Sequence, residues 1–394
     1  MKSMKTTLLA LSLFVLATSP AFAVPASNDS AYITQAGTNG SVTTTQTETA
    51  GSPNTITVNQ NAVSFDETAT VTQAGGGNNS ATVTQSSESD EATVSQLGTT
   101  GTATVTQSGV GNNDAIVTQE AGSTIATATI VQNGSGNTGN VTQTGTTDTA
   151  TVDQTGTSNI TMVGQDAAST LASALVTQDG VSNSSTVVQS GLSGQATIDQ
   201  VAGGNAATII QNALSENETA TINQNGNESL GSIEQSGSFD TATINQTAEN
   251  NANITQAGAG SNSATVNQNS GGLTNTASIS QNGLLNEATL NQSGNRNIAD
   301  ITQTGNSNVA TLLEQSGSGN DLTVEQNGNF SVVQVTESAD TNTASITQTG
   351  DSHSATLVQS GNGNTATVGQ SGFTAKFADV TQSGAGNTTT VTQN

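Results

Sequence analysis

The sequence predicts an all-β protein, a flattened two-sheet β-solenoid of amyloid-like type with about sixteen two-strand rungs of ~23 residues. The prediction rests on a recurring glutamine, on alternating apolar and polar residues before it, and on a glycine after it. Aromatic residues make up only 2% and hydrophobic residues 31% of the chain, which excludes a wide multilayer core. Charged residues at 8% and only three prolines argue against disorder, so a thin repetitive structure is favoured.

The glutamine column runs from Gln35 to Gln393. Nearly all steps are 11 to 13 residues, and one slot is filled by Glu337, which gives 32 slots. A period maintained over the whole repeat region indicates one continuous architecture. The glutamines we select as structural ladder residues are Gln107, Gln119, Gln143, Gln165, Gln292, Gln303, Gln359, Gln370, Gln382 and Gln393.

The residues around each glutamine describe a strand and a turn. Two positions earlier, 30 of 31 residues are Val, Ile or Leu, and four positions earlier 22 of 31 are Ala. Alternate residues of a strand share a face, so Ala, the branched residue and Gln point inward together and the polar residues between them point outward. Glycine two positions after the glutamine predicts a turn, and our selected turn residues are Gly109, Gly361, Gly372 and Gly384.

A second, longer period lies six residues before the glutamine, at a position that we call the inner column. From the slot of Gln119 onward, alternate slots carry Asn113, Asn137, Asn159, Asn183, Asn205, Ser229, Asn250, Asn275, Asn297, Asn320, Asn342, Asn364 and Asn387. The slots between them carry Ala126, Asp148, Ala172, Gly194, Glu218, Asp240, Asn262, Asn286, Val309, Ser331, His353 and Lys376. The repeat unit is therefore two strands with two turns.

Stacked amides explain why Gln and Asn should recur on an inward face. A buried amide without a partner costs about 1–3 kcal/mol, and identical amides stacked rung over rung satisfy one another. A slip of one residue would turn the branched residues outward, so the columns also fix the register. We select Asn113, Asn137, Asn159, Asn297, Asn364 and Asn387 as ladder residues with the glutamines.

The N-terminus has the features of a secretory leader. Lys2 and Lys5 precede the apolar run 8–17, and Ala21-Phe22-Ala23 provides small residues for cleavage. The alternative of a membrane anchor is disfavoured because the run is shorter than the ~20 residues that a span needs. We predict a signal peptide at 1–23, an irregular segment with degenerate repeats at 24–68, and the repeat solenoid at 69–394.

Charge excludes several classes of function. Without the two leader lysines, Arg296 and Lys376 face 29 acidic residues, so nucleic-acid binding is not expected. One His and no Cys cannot build a recurring acid–base or disulfide framework, so we predict no enzyme and no cofactor. His353 is more simply a variant of the inner column than a ligand.

Outward acidic residues directly before a glutamine are expected to act as gatekeepers against lateral aggregation. These residues include Asp153, Asp199, Glu234, Glu314 and Glu325. A calcium role is disfavoured because the Gly-Gly-x-Gly-x-Asp repeat is absent. An ice-binding Thr-x-Thr ladder is disfavoured because only five slots fit, namely Thr43/Thr45, Thr70/Thr72, Thr82/Thr84, Thr104/Thr106 and Thr390/Thr392.

The repeat resembles that of the curlin family, the secreted subunits of bacterial curli fibres. The family pattern Gln-x-Gly-x-Gly-Asn-x-Ala-x-x-x-Gln is matched at every specified position by residues 359–370. Residues 382–393 match with Thr389 in place of Ala, and residues 292–303 match with Arg296 in place of the second Gly. The chain carries far more repeats than familiar curlins, and the leading Ser of the family repeat is largely missing.

The resemblance implies a function, a location and partners. Curlins leave a Gram-negative cell through an outer-membrane secretion pore and polymerise with the help of a nucleator subunit into extracellular amyloid fibres for adhesion and biofilm matrix. We therefore expect a homopolymer of the same kind. Within the sequence itself, the C-terminal strand 389–392 is expected to be an uncapped edge and a template for another copy. The alternative is a monomeric or surface-tethered solenoid adhesin, with the first irregular slots acting as a cap.

Overall fold

Thirty-two β-strands form two parallel sheets in the computed structural model of the chain, which describes residues 29–48, 52–61, 65–212 and 215–394. Strands with odd numbers form one 16-stranded sheet, here called the odd sheet, and those with even numbers form the other, the even sheet. No helix occurs in the described residues. The predicted all-β, two-sheet solenoid is confirmed. The predicted signal peptide at 1–23 lies outside the residues described.

The strands of the odd sheet are β1 (Ser30–Gln35), β3 (Thr55–Gln60), β5 (Ser80–Gln85), β7 (Thr102–Gly111), β9 (Thr127–Ser135), β11 (Thr149–Thr157), β13 (Ser173–Val181), β15 (Gln195–Gly203), β17 (Thr219–Gln224), β19 (Thr241–Gln246), β21 (Ser263–Asn269), β23 (Glu287–Asn295), β25 (Val309–Ser318), β27 (Val332–Ser338), β29 (Ser354–Ser360) and β31 (Phe377–Ser383).

The strands of the even sheet are β2 (Ser41–Glu48), β4 (Thr68–Gly75), β6 (Glu91–Gln96), β8 (Asp114–Gln119), β10 (Thr138–Gln143), β12 (Ile160–Gln165), β14 (Ser184–Gln189), β16 (Ala206–Gln211), β18 (Leu230–Gln235), β20 (Asn250–Gly260), β22 (Asn275–Leu284), β24 (Ile298–Asn306), β26 (Asp321–Asn327), β28 (Thr343–Gly350), β30 (Thr365–Gly372) and β32 (Thr388–Gln393).

Most strands alternate between buried and more solvent-facing residues, as strand β17 illustrates. In its sequence TATINQ, Ala220, Ile222 and Gln224 are buried, and the three alternate residues are half-buried. The same alternation extends a single apolar core from Ile56 to Val380. The core is only one Ala and one branched side chain wide per strand, which fits the low aromatic content.

In-register parallel pairing aligns each glutamine with the glutamine one rung further along. Gln107 pairs with Gln132 and Gln143 pairs with Gln165, for example. Within the segment predicted as irregular, β1, β2 and β3 already follow this register with their next neighbours. The described part of the chain therefore stacks as one solenoid from its first strand.

Strand β25 carries one additional residue, and this corrects one column assignment. Ala288 pairs with Ala310, but Leu290 pairs with Leu313, so β25 has two residues between pairs where β23 has one. This bulge shifts the start of the strand relative to its glutamine. The sequence period predicts Val309, six positions before Gln315, in the inner column, and this prediction is wrong. Asn308 is buried there instead and donates its backbone N–H to Asn286 Oδ1 at 3.1 Å.

Candidate functional site: amide ladders and end rungs

The glutamine side chains form two continuous hydrogen-bonded ladders through the interior. In the even sheet, the Nε2 of each glutamine donates to the Oε1 of the next at 2.7–3.0 Å at every step from Gln46 to Gln393. The odd sheet repeats this from Gln35 to Gln315. Both ladders run in the same direction, with the donor always on the earlier rung.

The selected glutamines divide between the two ladders. Those of the odd sheet are Gln107, Gln292, Gln359 and Gln382, and those of the even sheet are Gln119, Gln143, Gln165, Gln303, Gln370 and Gln393. Gln393 belongs to the last rung and is half-buried, while the others are at most 4% exposed. The structure thus groups them into two lines, each parallel to the stacking direction.

Each interior glutamine also joins the two sheets, a contact that the sequence analysis did not foresee. Gln107 Oε1 accepts from Gln85 Nε2 at 3.0 Å, and Gln107 Nε2 donates to Gln132 Oε1 at 3.0 Å. The same Nε2 donates to the backbone carbonyl of Glu91, on β6 of the even sheet, at 2.8 Å. One amide therefore connects the rung before it, the rung after it and the opposite sheet.

The asparagine column works through the backbone more than through amide stacking. The segments that connect one strand to the next are called arcs here. All the selected asparagines lie in arcs that lead into the even sheet, namely Asn113, Asn137, Asn159, Asn297, Asn364 and Asn387. Asn137 Oδ1 accepts the backbone N–H of Asn159 at 3.0 Å, and this link recurs where Asn297 follows Asn275 and Asn387 follows Asn364. Asn is one methylene shorter than Gln, so its amide reaches the backbone of its own arc and of the next. The column fixes the arcs, while the glutamines fix the strands.

Buried carboxyl groups occupy the inner column at several arcs, where the sequence period places Asp148, Glu218 and Asp240. Asp240 Oδ1 accepts the backbone N–H of Asn262 at 2.8 Å, and Asp148 accepts from Ser169 Oγ at 2.5 Å. Burial raises the pKa of both Asp148 and Asp240. Burial, with a further contribution from Asp240, raises the pKa of Glu218 to about 8.

Glu337 occupies the one slot of the odd ladder that holds no glutamine, and it is completely buried. Its Oε2 accepts from Gln315 Nε2 at 2.8 Å. Burial raises the pKa of Glu337 to about 8, against the counteracting hydrogen bond from Gln315. On the next rung, Gln359 Nε2 donates to Gln382 Oε1 at 2.7 Å, so the ladder resumes.

The selected turn glycines all adopt positive φ. Gly109 has φ +102°, and a Cβ there would lie 2.4 Å from the backbone N of Gly134, so neither conformation nor space admits another residue. Gly361, Gly372 and Gly384 have φ values of +109°, +112° and +97°. The residue directly before the inner column is also left-handed in most arcs, even where it is β-branched, as at Ile125 with φ 57°. Turn propensity does not reveal that position, because residues as different as Glu228, Phe239 and Arg296 fill it.

The outer faces hold the predicted gatekeepers and an additional threonine column. Asp153, Asp199, Glu234, Glu314 and Glu325 are all exposed. On the odd sheet, threonines three residues before the glutamine pair in register over many rungs, interrupted by Leu175; they are Thr57, Thr82, Thr104, Thr129, Thr151, Thr197, Thr221, Thr243, Thr265 and Thr289.

The five Thr-x-Thr pairs named in the sequence analysis do not form one continuous ladder, because they belong to different sheets. Thr70 and Thr72 lie on β4 of the even sheet, whereas Thr104 lies on β7 of the odd sheet. The regular pairs flank the alanine instead, as Thr102 and Thr104 do. The result is an uncharged strip of hydroxyl and methyl groups on one face.

His353 lies buried in the inner column, where its Nε2 contacts the carbonyl of Thr349 at 3.1 Å. Across the described ranges, no three side chains among His, Asp and Glu come together as a metal-binding group. Within those same ranges, no helix is long and apolar enough to cross a membrane.

The family is decided by the repeat itself. A family model described as "Curlin associated repeat" matches residues 76–109, 272–305, 294–328 and 339–372. The chain contains curlin repeats at these four places. Each matched stretch is 34 or 35 residues long and covers three successive strands with the two arcs between them, which is about one and a half rungs. Among curated proteins, none matches the sequence.

Curlin repeats and a β-solenoid fit a structural subunit of curli type. Both the repeat family and the fold are structural rather than enzymatic. The two amide ladders and the rungs at each end of the stack are the parts of the molecule suited to such a role.

Replacing Gln107 with Leu tests the three-way amide link. The change keeps the volume but leaves the buried Gln132 Oε1 without its donor. Gln85 Nε2 loses one acceptor and keeps the backbone carbonyls of Thr68 and Asp90. A buried unpaired group costs about 1–3 kcal/mol, so the unfolding free energy of the protein should fall by about 1–3 kcal/mol in a denaturant titration. The matched control is Gln195→Leu, on the exposed face of β15, which should change it by less than about 0.5 kcal/mol. Equal effects of the two changes would contradict the ladder account.

Proposed function

We propose that this curlin-repeat protein is a secreted structural subunit that assembles end to end into an extracellular, curli-type amyloid fibre serving adhesion and biofilm matrix. The proposal takes its location from the repeat family and from the leader-like N-terminus. The partners expected by resemblance are further copies of the chain, a nucleator subunit and an outer-membrane secretion pore.

The single observation that carries the proposal is the common polarity of the two ladders. At the first described rung, no described residue donates to the Oε1 of Gln35 or Gln46, which are the open acceptors. At the last rung, Gln393 Nε2 donates one hydrogen to the carbonyl of Phe377 at 2.9 Å. An amide nitrogen carries two hydrogens, so the second remains for an acceptor on another copy. The two ends are complementary in a head-to-tail stack.

The backbone edges support the same arrangement. Among the described residues, β31 and β32 each pair on one side only, as do β1 and β2. A parallel sheet edge presents unpaired N–H and C=O groups that another strand of the same register can satisfy. Because every rung repeats the same inward pattern, an incoming first rung would meet a surface like the one that each interior rung meets.

Assembly of the purified mature chain tests the proposal. Thioflavin fluorescence should rise with time, and aligned fibres should give a meridional reflection at about 4.7–4.8 Å, the spacing between stacked strands. A chain that remains a soluble monomer without this reflection would refute fibre formation and favour the monomeric or surface-tethered adhesin.

A matched pair of substitutions on β32 localises the growing end. Val391→Lys places a charge on the inward face of the last rung, whereas Thr392→Lys places it on the exposed face. Burial of an unpaired charge costs several kcal/mol, so Val391→Lys should slow elongation from preformed seeds by at least about tenfold, and Thr392→Lys should not.

Binding to an ice surface is a second candidate, favoured by the threonine strip of the odd sheet. The threonines repeat along the stack at the strand spacing of ~4.8 Å. The column that they form contains no charged residue. Leu175 interrupts it, and exposed Asp153 and Asp199 lie in the adjacent column, which is why fibre formation is preferred.

An ice-recrystallisation assay separates the two functions. If the threonine strip binds ice, Thr243→Lys should abolish inhibition of recrystallisation, while Thr255→Lys on the even sheet leaves it intact. Absence of any inhibition by the mature chain would remove this candidate without affecting fibre formation.

A further inference from the structure

The odd ladder has one missing hydrogen bond, between Glu337 and Gln359. At every other step an amide nitrogen on the earlier rung faces an oxygen on the later rung. The side chain of Glu337 has no N–H to donate. Its Oε1 and the Oε1 of Gln359 are both buried and without a hydrogen-bond partner. The two residues are directly paired in register on β27 and β29. Two hydrogen-bond acceptors therefore follow one another in the interior.

We propose that Glu337 carries a proton in the folded chain and that its carboxylic O–H donates to Gln359 Oε1, which completes the odd ladder. A neutral carboxyl group supplies one donor and keeps an acceptor. Its other oxygen continues to accept from Gln315 Nε2. Loss of the proton leaves a buried carboxylate facing the amide oxygen of Gln359, so β29 to β32 are joined to the rest of the stack by a step that is sensitive to pH.

The surroundings of Glu337 favour the neutral form. The charged groups on the strands packed against β27 are Glu314, Asp321 and Glu325, with Asp340 in the arc that follows, and all four are exposed. All of them are acidic, and Asp321 raises the pKa of Glu337 further. The nearest titratable base along β29 is His353, which precedes Gln359 by six residues, or about 20 Å of extended strand. No cation on these elements compensates a carboxylate at position 337.

The direction of the pH effect follows from the two protonation equilibria. The pKa of Glu337 is about 8 in the folded chain against an ordinary value of 4.5. The stabilising proton is present in both folded and opened forms below pH 4.5, and its contribution is lost as the pH rises from 4.5 to about 8. We call the step between Glu337 on β27 and Gln359 on β29 the joint. In that window, the population of molecules in which this joint is open should rise about tenfold per pH unit, and it should level off above pH 8.

The position of this joint gives it a consequence for assembly. Only β29, β30, β31 and β32 lie beyond it, and they form the last two rungs. A rise in pH from 4.5 to about 8 would loosen these rungs while the earlier stack remains closed. The inference about Glu337 depends on the fold alone and applies to a monomer or a fibre, so failure of the fibre proposal leaves it testable.

Native-state proteolysis of the full mature chain measures the opening. At each pH, the cleavage rate within residues 339–394 is divided by that of Glu337→Gln, so that the pH dependence of the protease cancels. The ratio should increase about tenfold per pH unit from 4.5 and reach a plateau near pH 8. The control Glu325→Gln, on the exposed face of β26, should follow the wild type. A ratio that is independent of pH would overturn the proposal.

Two further measurements keep the test decisive if Glu337→Gln folds poorly. Gln348→Glu introduces the same acid into the even ladder between Gln326 and Gln370, and it should create a new opening with the same pH dependence. In a Glu218→Gln background, carbon NMR of labelled glutamate carboxyls should show one group that titrates near pH 8, in monomer or fibre. If every carboxyl group titrates below pH 6, Glu337 is ionised in the fold and the proposal fails.

Discussion

The glutamine side-chain amide is the constraint on which the rest of the structure depends. It has one oxygen and two N–H hydrogens, and in an interior rung such as that of Gln107 all three are used. They connect the previous rung, the next rung and the opposite sheet. Register, stacking and sheet separation are therefore fixed by one residue type repeated at one position.

This use of amides explains how a chain with so few large apolar residues folds. A conventional core requires many Leu, Phe and Trp side chains, whereas here Ala220 and Ile222 represent the whole apolar width of a strand. Hydrogen bonds along the stack supply directional order that apolar contacts alone do not. They also make the interior intolerant of a wrong donor or acceptor, which is why a buried acid such as Glu337 is informative.

Period and alternation predicted most of the fold, because the inward pattern of Ala, branched residue and Gln is itself the physical cause of the solenoid. This prediction fails where a local irregularity breaks the count, as at β25, where a bulge moves Asn308 and not Val309 into the inner column. It also overlooked the cross-sheet bond of Gln107 and the sorting of threonines between sheets. Those features depend on which strands become neighbours, and a linear period does not contain that information.

Side-chain amide exchange of the glutamines is the most direct measurement of the central claim. In the protein with nitrogen-labelled glutamine, ladder residues such as Gln119 and Gln143 should show dispersed side-chain resonances whose hydrogens exchange many times more slowly than those of exposed Gln195. Resonances clustered together and exchanging as fast as those of Gln195 would show that the amides are free, and would contradict the ladder account.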